Sequence, residues 1–190
     1  MICKKKRIKN MLFVLMVGLF INNGCAYDAS KETVVVFETD YGLIEIKLYP
    51  EIAPKTCENF TTLVEGGYYN GTVFHEVIRG FMAKGGDPTG TGRGGKNIWD
   101  PGVLPDEVNK AIRFDRLGLV AMASDGRNMN RSQFFIATSG LPWLNGHNTI
   151  FGEVVSGYDA VQKIENVNTD YCDRPIIDQR IIKAYVKNVE

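Results

Sequence analysis

Side chains that could attack a substrate, bind phosphate or hold a metal are scarce in this chain of 190 residues. Ser132 and Ser139 stand outside any G-x-S-x-G setting, and Cys57 with His75 would form a nucleophile and base without a supporting pattern. Two His and four scattered Cys leave little material for a zinc site, so no metal and no cofactor is called for. One segment does resemble a nucleotide-binding motif. In Gly85–Lys96 (GGDPTGTGRGGK), Gly90, Gly92 and Gly95 satisfy G-x-G-x-x-G, and Gly90 to Lys96 nearly matches a phosphate-binding loop. Both motifs present backbone N–H groups at the start of a helix. Here Asn97 replaces the required Ser/Thr, and Pro101, Gly102 and Pro105 forbid an immediate helix. The segment from about Gly86 to Asn109 reads instead as a long irregular surface loop.

The elements around it are mostly short strands. Val34–Glu38 and Leu43–Leu48 flank Asp40-Tyr41-Gly42 and predict a hairpin. Ile44, Ile46 and Leu48 alternate with Leu43, Glu45 and Lys47, so one face is expected to be buried. Pro54 opens a helix with Phe60, Leu63 and Val64 on its apolar side, and Gly66-Gly67 closes it. Further strands are expected at Val73–Ile78, Phe81–Ala83, Leu119–Ala123, Phe134–Ala137, Thr149–Val155 and about Ile176–Lys187. A second helix at Tyr158–Asn166 would turn Ala160, Val161 and Ile164 inward. Many short strands with two isolated helices imply a mainly β, antiparallel barrel or sandwich capped by helices, and argue against a βαβ repeat. With no internal repeat and no linker, residues 30–190 are expected to form one domain.

Two stretches are specific when taken together. Phe74–Asp87 reads FHEVIRGFMAKGGD and Arg131–Gly152 reads RSQFFIATSGLPWLNGHNTIFG, with FDRLGLVAMA from Phe114 between them. From about Thr33 to Val189 the chain resembles the cyclophilins, a family of peptidyl-prolyl cis-trans isomerases. The resemblance implies a closed eight-stranded antiparallel β-barrel capped by two helices, a monomer, and a cleft that takes Pro-containing polypeptides or cyclosporin-like cyclic peptides. It implies that Phe81, Met82, Phe135 and Leu144 form a proline pocket. Gln133 would hold the substrate backbone, helped by the main chain at Ala123-Ser124, and Trp143 would lie on the rim. Phe134 alternates with Phe135, and neighbours in a strand point to opposite faces, so Phe134 is assigned to the core.

The chain departs from the family pattern where catalysis is concentrated. Glu76 stands where the family usually has the Arg regarded as its principal catalytic group, and an ionised carboxylate cannot donate a hydrogen bond. Lys84 replaces the usual Gln on the neighbouring strand, so an ion pair with Glu76 is expected, with the ammonium partly replacing the lost donor. Arg79 has the opposite strand parity to Glu76 and is expected to face solvent. Asn148 stands where His is common, with His147 displaced by one residue, and Ser124 replaces an Asn. Two readings remain open: an isomerase of reduced activity, and a non-catalytic module that binds Pro-containing segments.

The N-terminus reads as an export signal. Lys4, Lys5, Lys6, Arg7 and Lys9 precede the apolar Met11–Ile21. As a helix, that stretch rises only about 16 Å, too short to span a bilayer. Residues 1–26 are therefore expected to be a signal peptide. Cleavage after Ala26 would release a soluble product, whereas Gly24-Cys25 resembles a lipoprotein signal that would leave Cys25 lipidated and membrane-anchored. Either route places the domain in the periplasm or outside the cell. The rest of the chain carries 17 bases against 22 acids, which argues against a nucleic-acid partner. In such a compartment Cys57 and Cys172 could form a disulfide or remain separate thiols. Asn59, Asn70 and Asn130 match the glycosylation acceptor pattern.

Overall fold

The computed structural model describes residues 32–187. The signal-peptide reading and the lipidation candidate Cys25 lie outside the described residues. Eight strands run in chain order: β1 Val34–Thr39, β2 Gly42–Leu48, β3 Glu76–Ile78, β4 Met82–Gly85, β5 Leu119–Met122, β6 Phe134–Ala137, β7 Ile150–Ser156 and β8 Ile181–Lys187. Helix α1 spans Pro54–Glu65, helix α2 spans Tyr158–Glu165, and a single 3-10 turn occupies Pro142–Leu144.

The strands form one antiparallel sheet in the order β3-β4-β6-β5-β7-β2-β1-β8. It is curled and open. Its edge strands β3 and β8 do not pair as a ladder, so the closed barrel expected from the sequence is not what forms. Instead the seam is stitched by separate contacts. Val73 bridges both Asp87 and Arg180, Val77 N–H donates to Asp173 O at 2.8 Å, and Ile181 N–H donates to Thr72 O at 2.9 Å. These contacts also explain why two strands are shorter than expected. Phe74 N–H donates to Gln179 O, so regular pairing begins only at Glu76 rather than Val73. Residues 170–178 fold on the Asp170 carboxylate, which accepts from the N–H groups of Cys172 and Arg174, and β8 therefore starts at Ile181 rather than Ile176.

Alternation divides the sheet into two apolar faces. The inner face packs Val35, Phe37, Ile44, Ile46, Val120, Phe134 and Ile136 against α1 residues Phe60, Leu63 and Val64 and α2 residues Ala160, Val161 and Ile164. Phe37, Phe60, Tyr69 and Phe134 form a mesh with ring centroids 5.1–6.2 Å apart. The outer face of β4, β5 and β6 carries a second cluster with Met82, Leu119, Ala121, Phe135 and Ala137, covered by Phe114 and Leu141 from loops.

Helix α1 begins at Pro54, whose missing N–H is no loss at a first turn. Ala53 offers no side-chain cap. The Glu107 carboxylate, far away in sequence, accepts from Lys55 N–H at 3.1 Å and Thr56 N–H at 2.8 Å, and so satisfies two of the orphan donors.

Cysteine and asparagine side chains resolve the remaining sequence expectations. Cys57 is buried on α1, where its Sγ lies 3.5 Å from Phe151 O, while Cys172 is an exposed free thiol, so no disulfide joins them. Asn59 and Asn130 are buried with their amides bonded to the main chain, which leaves no room for a glycan. Asn70 is exposed, although its Oδ1 accepts from Ala184 N–H.

Candidate active site

The outer cluster opens into a cavity of about 170 Å³, whose apolar wall is Phe81, Met82, Phe135, Ala123 and Leu144. Strand parity explains the set. Met82 on β4 pairs with Ala137 on β6, Lys84 pairs with Phe135, and Ala121 of β5 also pairs with Phe135. Phe135 is braced from behind by Phe114, stacked at 5.9 Å with the rings 14° apart. Phe134, one residue earlier, is fully buried in the inner mesh. Leu144 comes from the 3-10 turn, a turn the sequence pattern does not signal. Trp143, on the same turn, is 62% exposed and packs its ring 6.1 Å from that of Phe81, beside the opening.

The polar wall is Glu76, Lys84, Ser124 and Asn148. Glu76 and Lys84 are paired neighbours on β3 and β4, and Lys84 Nζ donates to Glu76 Oε2 at 2.6 Å. Their side chains are about one-quarter to one-third exposed, so the pair sits at the cavity wall, neither sealed nor fully solvated. Asn148 donates one Nδ2 hydrogen to Met122 O at 3.1 Å, leaving its carbonyl and its second N–H for a ligand. Arg79 is turned away, and its guanidinium donates at 3.4 Å to Asn166 O at the end of α2. His147 is likewise exposed.

Gln133 is placed differently from its neighbours. It lines an adjoining recess that shares Lys84, Ala123 and Ser124 with the apolar cavity. Its Nε2 donates to Gly92 O at 2.9 Å and to Gly94 O at 2.8 Å. Both N–H groups of the amide are thus spent, and only Oε1 is left to accept from a ligand. Nothing in the local sequence announces this clamp, because its partners lie in the glycine-rich loop about forty residues away.

That loop is built on one carboxylate. Asp87 is fully buried and accepts from the N–H groups of Thr89, Thr91, Gly92 and Gly94 and from Thr89 Oγ1. Burial raises its pKa, but the hydrogen bonds from Thr89, Gly94 and Gly92 together outweigh it and hold the group below the ordinary Asp value. The amides a phosphate would need are therefore already taken, and no helix follows the loop. A Cβ on Gly94 would collide with the Asp87 carboxylate, and one on Gly86, at φ +86°, would lie 2.5 Å from Ser132 O. The glycines of this segment serve close approach to the protein's own side chains and main chain.

His75 lies under the same loop, close to Gly92. It is buried, and neither ring nitrogen has a hydrogen-bond partner among the described residues. Burial pushes its pKa below the ordinary His value, opposed by Asp87 and reinforced by Lys84.

Several known proteins are similar to this chain in sequence and fold. Residues 34–186 match the family model described as cyclophilin type peptidyl-prolyl cis-trans isomerase. The chain is 48% identical over 158 residues to human peptidyl-prolyl cis-trans isomerase-like 1, covering 83% of this chain and 95% of that protein. It is 51% identical over 152 residues to peptidyl-prolyl cis-trans isomerase CYP71 of Arabidopsis thaliana, covering 80% of this chain but only 24% of that longer protein. Among solved structures, the Cryptosporidium parvum cyclophilin type peptidyl-prolyl cis-trans isomerase cgd2_1660 superposes with a TM-score of 0.81 at 39% identity, covering 84% of this chain and 100% of that one. The same protein in the presence of the dipeptide Ala-Pro superposes with a TM-score of 0.79 at 39% identity, covering 82% and 99% of the two chains. Sequence and fold agree over the whole described domain, and the chain belongs to the cyclophilin-type peptidyl-prolyl cis-trans isomerases.

Proposed function

We propose that the domain isomerises X–Pro bonds with the proline ring in the apolar cavity and the Lys84 ammonium, held by Glu76, as the donor at the reacting amide. The observation that carries this reading is the 2.6 Å Lys84–Glu76 contact at the wall of that cavity. The chemistry asks for little else. The barrier of about 18–20 kcal/mol is lost amide resonance, and uncatalysed exchange takes tens to hundreds of seconds. As the C–N bond twists, the prolyl nitrogen regains its lone pair and can accept a hydrogen bond that neither planar form accepts. A donor placed there favours the twisted state over both ground states.

Phe81, Met82, Phe135 and Leu144 would grip the ring, while Gln133 Oε1 and the main chain at Ala123-Ser124 would hold the peptide on either side. The Ala-Pro dipeptide used with the related C. parvum protein is a ligand of the size this cavity suggests for the present chain. Lys84 has three rotatable donors on a flexible stem, so it is a poorer positioner than a planar guanidinium. Turnover is accordingly expected to be lower than with an Arg at position 76. The basic and apolar N-terminal segment supports a site of action outside the cytoplasm, as a soluble or Cys25-anchored protein.

Glu76 favours a second reading, a recognition module without turnover, because a carboxylate beside the substrate carbonyl repels it. One assay separates them: isomerisation of an Ala-Pro peptide by the native domain, by Lys84→Ala and by Glu76→Arg/Lys84→Gln. Measurable native turnover lost in Lys84→Ala by about 10²-fold, the usual cost of one preorganised donor, supports the isomerase reading. Native turnover at background, with the peptide still bound and the double variant active, supports the module. An unchanged rate in Lys84→Ala would remove the lysine from the mechanism.

A further inference from the structure

Beside the proline cavity lies a recess of different chemistry. It shares Lys84, Ala123 and Ser124 with the cavity and adds Arg93, Asp125, Arg131 and Gln133. Lys84 is neutralised by Glu76. Arg93 and Arg131 are exposed, and neither makes an ion pair among the described residues, whereas Arg116, Arg174 and Arg180 all do. Only Asp125 contributes a negative charge to the recess wall. Two guanidinium groups against a single carboxylate therefore line a groove continuous with the place where the reacting proline would sit.

Both arginines are held at the main chain. Gln133 donates to the carbonyls of Gly92 and Gly94, the residues on either side of Arg93. These neighbours are fixed again where their N–H groups meet Asp87. Arg131 O accepts from Asn59 Nδ2 at 2.9 Å, which ties that segment to α1. The cations are long and exposed, but their points of attachment are fixed relative to the cavity. A fixed backbone with free charged ends suits recognition of a substrate side chain more than it suits support of the fold.

We infer that Arg93 and Arg131 are specificity-determining residues that select substrates carrying a carboxylate side chain close to the reacting X–Pro bond. A planar guanidinium meets a carboxylate through paired N–H groups. Both arginines are exposed to water, so each contact is modest and the two together set a preference without creating a requirement. The inference rests on the proline-binding reading of the cavity.

The test compares peptides that share an Ala-Pro centre and carry Glu, Gln or Lys at successive positions on either side. At low salt, at least one Glu position is expected to raise kcat/KM, or affinity if turnover is absent, by roughly three- to tenfold over Gln. Lys at the same position should lower it. The Glu advantage should disappear in Arg93→Gln/Arg131→Gln and shrink at high salt, while the Gln peptide is handled by the double variant as by the native domain. If Gln peptides are bound or turned over and no Glu position gains, the selectivity is overturned and the proline reading stands. If the Glu advantage persists in the double variant, other residues cause it and the assignment is overturned. If no proline peptide is bound at any position, the proline reading falls and this inference with it.

Discussion

The two faces of β4, β5 and β6 are built from the same strands in alternate residues, yet they are finished differently. Inward, Phe134 meets four aromatic rings and no water. Outward, Phe135 is equally well packed from behind but looks onto an open cavity whose other walls, Phe81 and Leu144, are only half-buried. An apolar cluster becomes a site when its cover stops short. Here the covering loops bring Phe114 and Leu141 over one end and leave the other open.

Opposite substitutions on the two faces should separate stability from binding. Phe134→Ala is expected to cost about 3–5 kcal/mol, read as a lowered denaturant midpoint, because the mesh cannot collapse around the void. Phe135→Ala also removes a packed ring, but its distinguishing effect is functional. A loss of roughly tenfold or more in kcat/KM or affinity for an Ala-Pro peptide is expected under conditions where the variant is fully folded. If proline peptides bound Phe135→Ala as well as the native domain, the outer cluster would not be the site.

The histidine beneath the glycine loop gives a pH test. His75 is buried neutral with its pKa below 6.5, so unfolding lets it take up a proton between its folded-state pKa and about 6.5. Its contribution to stability is complete above about pH 6.5 and is lost as pH falls toward the folded value, with a slope of at most about 1.4 kcal/mol per pH unit. Urea unfolding of His75→Phe across that window should be flatter by this component, and an identical slope in both proteins would contradict the assignment. The smallest effect is expected at the rim. Trp143→Ala, on a largely exposed side chain, should shift stability by no more than about 0.5 kcal/mol. A larger shift would show that the Phe81 contact supports the fold as well as bordering the opening.

Much of this was legible where the physics is local. Alternation placed Ile44, Ile46 and Leu48 inward and separated Phe134 from Phe135, and helical spacing picked out Ala160, Val161 and Ile164. The expected Glu76–Lys84 contact followed from two residues on neighbouring strands. What stayed hidden depends on partners distant in sequence. Glu107 caps a helix about fifty residues before it, Asp87 gathers its own loop, and Gln133 spends its donors on Gly92 and Gly94 instead of keeping them for substrate. The shortened strands at Val73 and Ile176 have the same origin, since pattern reports the face a residue prefers but not the strand that claims its N–H.

The pairing of β1 with β8 has an architectural corollary. Val34 and Lys187, the first and last residues of the sheet, are Cα partners in the same ladder. The domain can therefore be inserted into a larger chain like a loop drawn from a single point, with incoming and outgoing linkers side by side and the outer cavity undisturbed. Such a module is portable, which suits a fold that makes up 24% of one relative and is matched over 95% of another.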